Sequence, residues 1–523
     1  MKLFTCYTFL ILLLACQSPQ RPTTTGSAST AYLEEITITQ LQQGYKDGKY
    51  TITAVVKDYL QRIDDIDKNG PQLNSIIYVN PDAVKQAEAL DKEMAAGKIR
   101  GPMHGIPVII KDNIDTHEMP TTAGSIALRN SFPDQDSWLV HKLTEAGAII
   151  IAKSNLSEWA NFRGHMSSSG WSGLGGQSKN PYVTDRNPCG SSSGSGVAVA
   201  ANLCVIAIGT ETDGSIVCPS NNNGIVGLKP TVGLISRSGI IPISFSQDTP
   251  GPMCRTVEDV AVSLGVMVGT DSSDSKTLDP SAVFHSDYTK FLKVDGLRGK
   301  RLGLLTNTLG FHDKVDTLMM QAVRFMKDQG AMVIEIESRL DDIDEESFDV
   351  LLYEFKEGVN KYFASLGTDA PIKSLDELIA FNKKDSVELR YFDQHLLEMA
   401  NAKGDLQSAE YNTALNKIQK VTREEGIDKL MIEHQLDAII APTGSPAWKT
   451  DLVNGDHFMG GSSSLAAIAG YPSIAVPMGF VGELPVDLSI MGRAWSEPLL
   501  LQIAYAYEQG TKHRKAPEYI LSD

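Results

Sequence analysis

The chain has 523 residues, 42% of them hydrophobic and 21% charged, with 47 Lys and Arg against 64 Asp and Glu for a net charge of −17. This describes an ordinary globular protein with a large core, and it argues against a nucleic-acid partner, which requires a basic face to neutralise phosphates. Length alone suggests about three domains, and six cysteines are too few for a disulfide scaffold.

Lys2 followed by the apolar run Phe9–Ala15 has the pattern of a secretory signal peptide. The run is too short to span a bilayer, which takes about 20 apolar residues. Its end, Leu13-Leu14-Ala15-Cys16, resembles a bacterial lipobox, in which the Cys is acylated and becomes the mature N-terminus. Residues 17–31 are rich in Ser, Thr and Pro and have nothing to bury. The expectation is a signal peptide over 1–15, a lipidated Cys16 and disordered tether over 16–31, and a domain over 32–523. That domain would be exported and lipid-anchored to a bacterial membrane, extracytoplasmic or periplasmic. Plain cleavage after Ala15, with Cys16 left free, stays open.

From Ile36 to Asp67 the pattern is helical, with Thr51 as a cap, and Pro81 to Ala96 forms a second helix with Pro81 near its first turn. Ile106–Lys111 is a short, nearly all-apolar strand. A helix over 137–146 and a strand over 148–151 follow, then strands over 205–209, 301–306 and 437–441. Helices are predicted over 313–328, 346–363, 386–400, 408–434 and 497–510. Continuous apolar strands alternating with helices mean a sheet covered on both faces, an α/β fold. There is no internal repeat and no linker after residue 31. The acidic run Asp341–Glu346 reads as a solvated helix start.

Residues 164–240 hold the unusual composition. Asn187-Pro188-Cys189-Gly190-Ser191-Ser192-Ser193-Gly194-Ser195-Gly196 runs straight into apolar Val197–Ala201, which a flexible linker would not do. A Gly/Ser loop at a helix start offers backbone N–H groups and close approach, as an anion or oxyanion site needs. It is not a phosphate loop, because no Lys-Ser or Lys-Thr follows the last Gly. Thr210-Glu211-Thr212-Asp213-Gly214-Ser215 follows a buried strand directly. Lys111 ends another. A lysine at a strand end most often snorkels to solvent, but one held out of water loses its charge more easily and becomes a base near neutrality.

Together, Ile106–Asp112, Pro188–Ser195, Thr212–Ile216 and Gly227-Leu228-Lys229-Pro230-Thr231 resemble the amidase signature family, with 80 residues from Lys111 to Ser191 and 24 from Ser191 to Ser215. The string Thr210–Pro219 and the stretch from Ala447-Trp448 to Ser463 are most similar to its peptide amidase branch. The resemblance implies a single large α/β domain with a mixed central β-sheet covered by helices on both faces. It implies an amide hydrolase that releases ammonia from a carboxamide, including C-terminal peptide amides, by way of an acyl-enzyme. Its Ser–cis-Ser–Lys triad would be Ser215 as nucleophile, Ser191 as bridge and Lys111 as base, with backbone N–H groups of Thr212, Asp213, Gly214 and Ser215 as oxyanion hole. The partners implied are the amide substrate and water. The sequence departs from the common pattern at Cys189, Ser193 and Asp213, where the family has glycines. A carboxylate beside a developing oxyanion is odd, so the Asp213 side chain is expected to point away.

Other readings compete. Gly190–Gly194 also fits the G-x-S-x-G elbow of α/β-hydrolases, with Ser192 attacking and His457 or His513 as base, although Tyr182–Pro188 before it is not a strand. A non-catalytic solute-binding lipoprotein is the alternative of another class. The ten histidines are scattered without ligand spacing, so neither a metal nor a cofactor is expected. Cys189, Cys204, Cys218 and Cys254 read as core thiols, with oxidation of one pair left open for an exported protein.

Overall fold

The computed structural model describes residues 30–338, 343–368 and 370–521. The signal peptide, Cys16 and nearly all of the tether lie outside the described residues. At its near edge the tether ends early, because Thr30 is buried against Arg62 and Ala31–Leu33 already form a helical turn.

Thirteen strands form among the described residues: β1 (Ile76–Val79), β2 (Pro107–Lys111), β3 (Ile149–Ser154), β4 (Trp171–Ser172), β5 (Gly176–Gln177), β6 (Ile206–Glu211), β7 (Val226–Lys229), β8 (Thr249–Cys254), β9 (Arg301–Leu305), β10 (Met332–Ile336), β11 (Ala438–Pro442), β12 (Ser473–Val481) and β13 (Leu484–Met491). β4 and β5 pair only with each other. The other eleven form one sheet in the order β1-β3-β2-β6-β8-β7-β12-β13-β11-β9-β10. It is mixed: β2 runs parallel to both β3 and β6, and β9 parallel to β10 and β11, while β8, β7, β12 and β13 join these two blocks antiparallel. Every residue of β2, β3, β6 and β11 is buried. Strands apolar on both faces require cover on both faces, and the helices supply it.

One apolar cluster runs from Leu33 in the first turn through β2, β3 and β6 to Tyr507 in the last helix, so the chain is one domain rather than three. The two ends are tied as well. Arg514 forms two hydrogen bonds to Glu35, at 2.8 and 2.7 Å, and Tyr519 N–H donates to Pro181 O. A second cluster packs helices Asp344–Ser365, Leu375–Asn382 and His395–Ala402 over Trp159, Phe162, Ile241 and Ile243. Residues 344–402 therefore form a cap continuous with the domain, and its first helix starts at Asp344, within the acidic run.

The helix predicted over 386–400 forms only from His395. Residue 388 explains this: the Glu388 carboxylate turns inward, accepts from Ser125 Oγ at 3.0 Å and Ile126 N at 2.7 Å, and lies beside buried Arg163, which also pairs with Glu158 at 3.2 Å. A helix would point that carboxylate elsewhere. The helix predicted over 408–434 forms, with a π-helical turn at Arg423–Ile427 around Gly426.

Candidate active site

β2 and β6 lie side by side in parallel register, Ile110 opposite Ile208, so the residues at their ends emerge together. Lys111 is the last residue of β2. Its side chain is wholly buried, not snorkelled to solvent. The ammonium nitrogen lies 2.7 Å from Ser191 Oγ, 2.9 Å from Thr210 Oγ1 and 3.1 Å from Thr210 O. Burial pushes its pKa down to about 7, against an opposing pull from the more distant carboxylates of Asp248 and Glu211. No carboxylate among the described residues touches it, and an amine among hydroxyl and carbonyl groups in a dry site gives up its proton readily.

The Gly/Ser run is a rigid loop. Every residue from Ser191 to Ala200 is buried, and the helix Ser193–Ala200 starts inside the run. Gly194 is dictated by close approach: its N–H donates to Asn155 O at 2.9 Å, and a methyl there would land on Ser75 O and Asn155 O. Ser193 Oγ donates to Cys189 O at 2.6 Å, and Ser195 Oγ meets Ser154 Oγ at 2.8 Å. A cis peptide bond joins Gly190 to Ser191, and Ser191 O accepts from Ser157 N at 3.1 Å.

Ser215 stands just past the end of β6. It is 8% exposed where Ser191 is 0%, and its hydroxyl makes no hydrogen bond among the described residues. Two contacts hold its turn. Ser192 N–H donates to Ser215 O at 3.2 Å, which couples the two serine-bearing loops. Glu211 Oε2 accepts from Ile216 N at 2.7 Å and Val217 N at 3.0 Å. Gly214 has φ of +79°, the left-handed region that favours glycine. Among the described residues, no loop or cap hydrogen bond takes up the N–H groups of Thr212, Asp213, Gly214 or Ser215. The Asp213 carboxylate is engaged elsewhere, accepting from Ser463 Oγ at 2.6 Å. Thr212 is fixed through its hydroxyl, which donates to Asp248 at 2.6 Å. Burial raises Asp248 to about 6 even though Thr212 and the N–H groups of Ser244 and Ile243 stabilise its charge.

Ser192 does not take the elbow role. It is fully buried, and its hydroxyl is bound to both backbone groups of Thr210, donating to the carbonyl at 3.1 Å and accepting from the N–H at 3.2 Å. Among the described residues no histidine hydrogen-bonds to it; His513 packs against Tyr507 in the last helix. The core-thiol reading holds for Cys204 and Cys254 and needs correction for the other two: Cys189 and Cys218 form a disulfide. The reason is positional, since one precedes Ser191 by two residues, the other follows Ser215 by three, and the two loops meet.

The loops over 164–175 and 448–463 come together around Asp456, a residue of the Ala447–Ser463 stretch to which sequence reasoning gave no role of its own. Its carboxylate accepts from Ser169 N at 2.9 Å, Asn187 Nδ2 at 3.1 Å and Trp448 Nε1 at 3.1 Å, while Asn187 N donates to Trp448 O at 2.7 Å. Also unforeseen is a cavity of about 390 Å³ with Asn113, Ala160, Thr210, Thr212, Asp248 and Tyr362 in its wall. Asn113 and Asp248 had one signal only, a polar side chain beside the end of an apolar or buried strand.

Comparison with known proteins shows the family and the fold. The Amidase family matches residues 54–501. A probable amidase of Arabidopsis thaliana is 40% identical over 506 residues, 94% of this chain and 93% of its own. The crystal structure of native peptide amidase from Stenotrophomonas maltophilia is 49% identical, covers 93% of this chain and 99% of its own, and superposes with a TM-score of 0.90. Peptide amidase in complex with the competitive inhibitor chymostatin gives 49% identity, the same coverage and a TM-score of 0.91.

Proposed function

The chain belongs to the amidase family, and from that premise we propose that it hydrolyses unsubstituted carboxamides, C-terminal peptide amides among them, by the Ser215–Ser191–Lys111 triad. The observation that carries this reading is the contact between a fully buried lysine and Ser191, on a loop whose next residue donates its N–H to the carbonyl of Ser215. A serine hydroxyl is a poor nucleophile without an adjacent base. Neutral Lys111 takes the Ser191 proton as Ser191 takes that of Ser215, and Ser215 Oγ bonds to the amide carbon. The N–H groups of Thr212 to Ser215 stabilise the oxyanion. The proton returns through Ser191 to the leaving nitrogen, the C–N bond breaks, and ammonia departs from an acyl-Ser215 ester. Water, activated by the same relay, hydrolyses the ester to the carboxylic acid and restores the serine.

The similarity to peptide amidase structures supports peptide amides as the substrate class. The test is ammonia release by the purified full chain from a panel holding an N-acetylated phenylalanine amide, an aliphatic amide and an anilide. The peptide-type amide is expected to give the highest kcat/KM. Preference for the anilide would overturn the substrate assignment.

We further propose that residues 1–15 direct export and that Cys16 carries a lipid, leaving the domain outside the cytoplasm. The Cys189–Cys218 disulfide supports this, because such bonds persist in oxidising compartments. No helix among the described residues is long and apolar enough to cross a membrane. Expressed in a bacterium fed an alkyne-tagged fatty acid, the chain should be labelled and sediment with membranes, and Cys16→Ser should abolish both. An unlabelled wild-type chain would refute the anchor.

A further inference from the structure

We propose that Thr210, backed by Asn113, is a positioning residue that aims the unshared electron pair of Lys111 at Ser191; this rests on the reading of Lys111 as the base. The argument is a count of donors and acceptors. Lys111 Nζ has three neighbours: Ser191 Oγ, Thr210 Oγ1 and the Thr210 carbonyl. A protonated amine donates to all three. A neutral amine has two N–H donors and one electron pair. The carbonyl can only accept, so it takes one N–H. The other N–H and the electron pair are divided between the two hydroxyls.

Only one division is productive. In it Thr210 Oγ1 accepts the N–H and the electron pair faces Ser191, whose proton it must take. The opposite division points an N–H at Ser191 Oγ and leaves no base there. Asn113 bears on the choice. Its Nδ2 donates to Thr210 Oγ1 at 3.0 Å, its side chain is buried, and its Oδ1 has no partner among the described residues. With one acceptor position of Thr210 Oγ1 filled by Asn113, two directions remain, one to the lysine and one to the cavity that both residues line. The cavity is polar on this side and large enough for a water to accept the Thr210 O–H. Turned that way, Thr210 accepts from Lys111 in both protonation states. Only the Ser191 proton then moves when Lys111 works as a base, and the surroundings are already arranged for it.

Thr210→Val keeps the shape and removes the hydroxyl. It is expected to lower kcat on the N-acetylated phenylalanine amide by about 10–100-fold, the range for losing a residue that orients a functional one, with KM within about twofold. The rising limb of kcat/KM should move to lower pH by roughly half a unit or more, because the ammonium form loses an acceptor. Thr210→Ser restores the hydroxyl and should recover kcat to within about threefold. Asn113→Ala should lower kcat in the wild type by about tenfold and by less than about twofold in Thr210→Val, the non-additivity of residues that act as a unit.

A Thr210→Val enzyme with wild-type kcat and an unmoved limb, additive effects of the two substitutions, or failure of Thr210→Ser to rescue would overturn the proposal. If Thr210→Val does not fold, as judged by its thermal transition, the kcat and limb of Asn113→Ala decide alone. Ser215→Ala and Lys111→Met are measured beside these. Turnover surviving in them sinks the triad, whereas their inactivity beside a wild-type-like Thr210→Val sinks only this proposal.

Discussion

Ser215→Ala is expected to lower kcat by about 10⁴-fold or more while leaving substrate binding nearly intact, the pattern for loss of a group that acts only in the transition state. The residual rate is what the oxyanion donors and binding supply alone. The informative companion is Ser192→Ala, one residue from Ser191. Ser192 is fully buried and makes no hydrogen bond to a base among the described residues; it staples the Gly/Ser loop to both backbone groups of Thr210. Its loss removes two buried hydrogen bonds and should cost stability, about 1–3 kcal/mol, rather than chemistry. Urea unfolding and kcat measured on both variants separate the cases. An inactive Ser192→Ala beside an active Ser215→Ala would reverse the assignment.

The second large effect is on Lys111. With its pKa held down to about 7 by burial, kcat/KM should rise tenfold per unit as pH climbs toward that value and level off above it, since the neutral amine is the working form. Lys111→Met should lower kcat by about 10²–10⁴-fold, the usual worth of a general base, and abolish the limb. Lys111→Arg should be equally inactive, because a guanidinium keeps its proton at every accessible pH. A limb that survives in Lys111→Met would assign the titration to another group.

The same shift has a signature in stability. The unfolded lysine holds its proton up to about pH 10.4 and the folded one releases it near 7, so between those values the unfolded state binds more protons and stability rises with pH. Lys229, pushed down to about 8 by burial, adds in the same direction. Lys111→Met should flatten the part of this rise that begins near neutrality.

The half of the candidate site built from local pattern was legible in the sequence. Lys111, Ser191 and Ser215 each sit at the end of an apolar strand or the start of an apolar helix, and a change of composition marks such places. The sheet's middle was not. β8 reads Thr-Pro-Gly-Pro-Met-Cys, and two prolines beside a glycine look like a loop. It is nonetheless a buried strand, because its neighbours β6 and β7 supply antiparallel partners on both sides. β12 and β13 form a hairpin whose assignment depends on partners far away in the chain. The first part of the helix predicted over 386–400 failed for the same reason, since one carboxylate found a buried partner that no local pattern announces. Asp456 and Asn113 matter through side chains that arrive from distant segments, and spacing along one chain does not encode such meetings.

The pairing of Arg514 with Glu35 gives the molecule a topology that its linear numbering hides. With its beginning and end clasped, the polypeptide behaves as a closed ring cut at one place. The sequential order Lys111, Ser191, Ser215 is then a convention of where the cut falls, and the site depends only on the cyclic order. The cut falls between the two clasped segments, so a force that pulls on one of them is carried by the other.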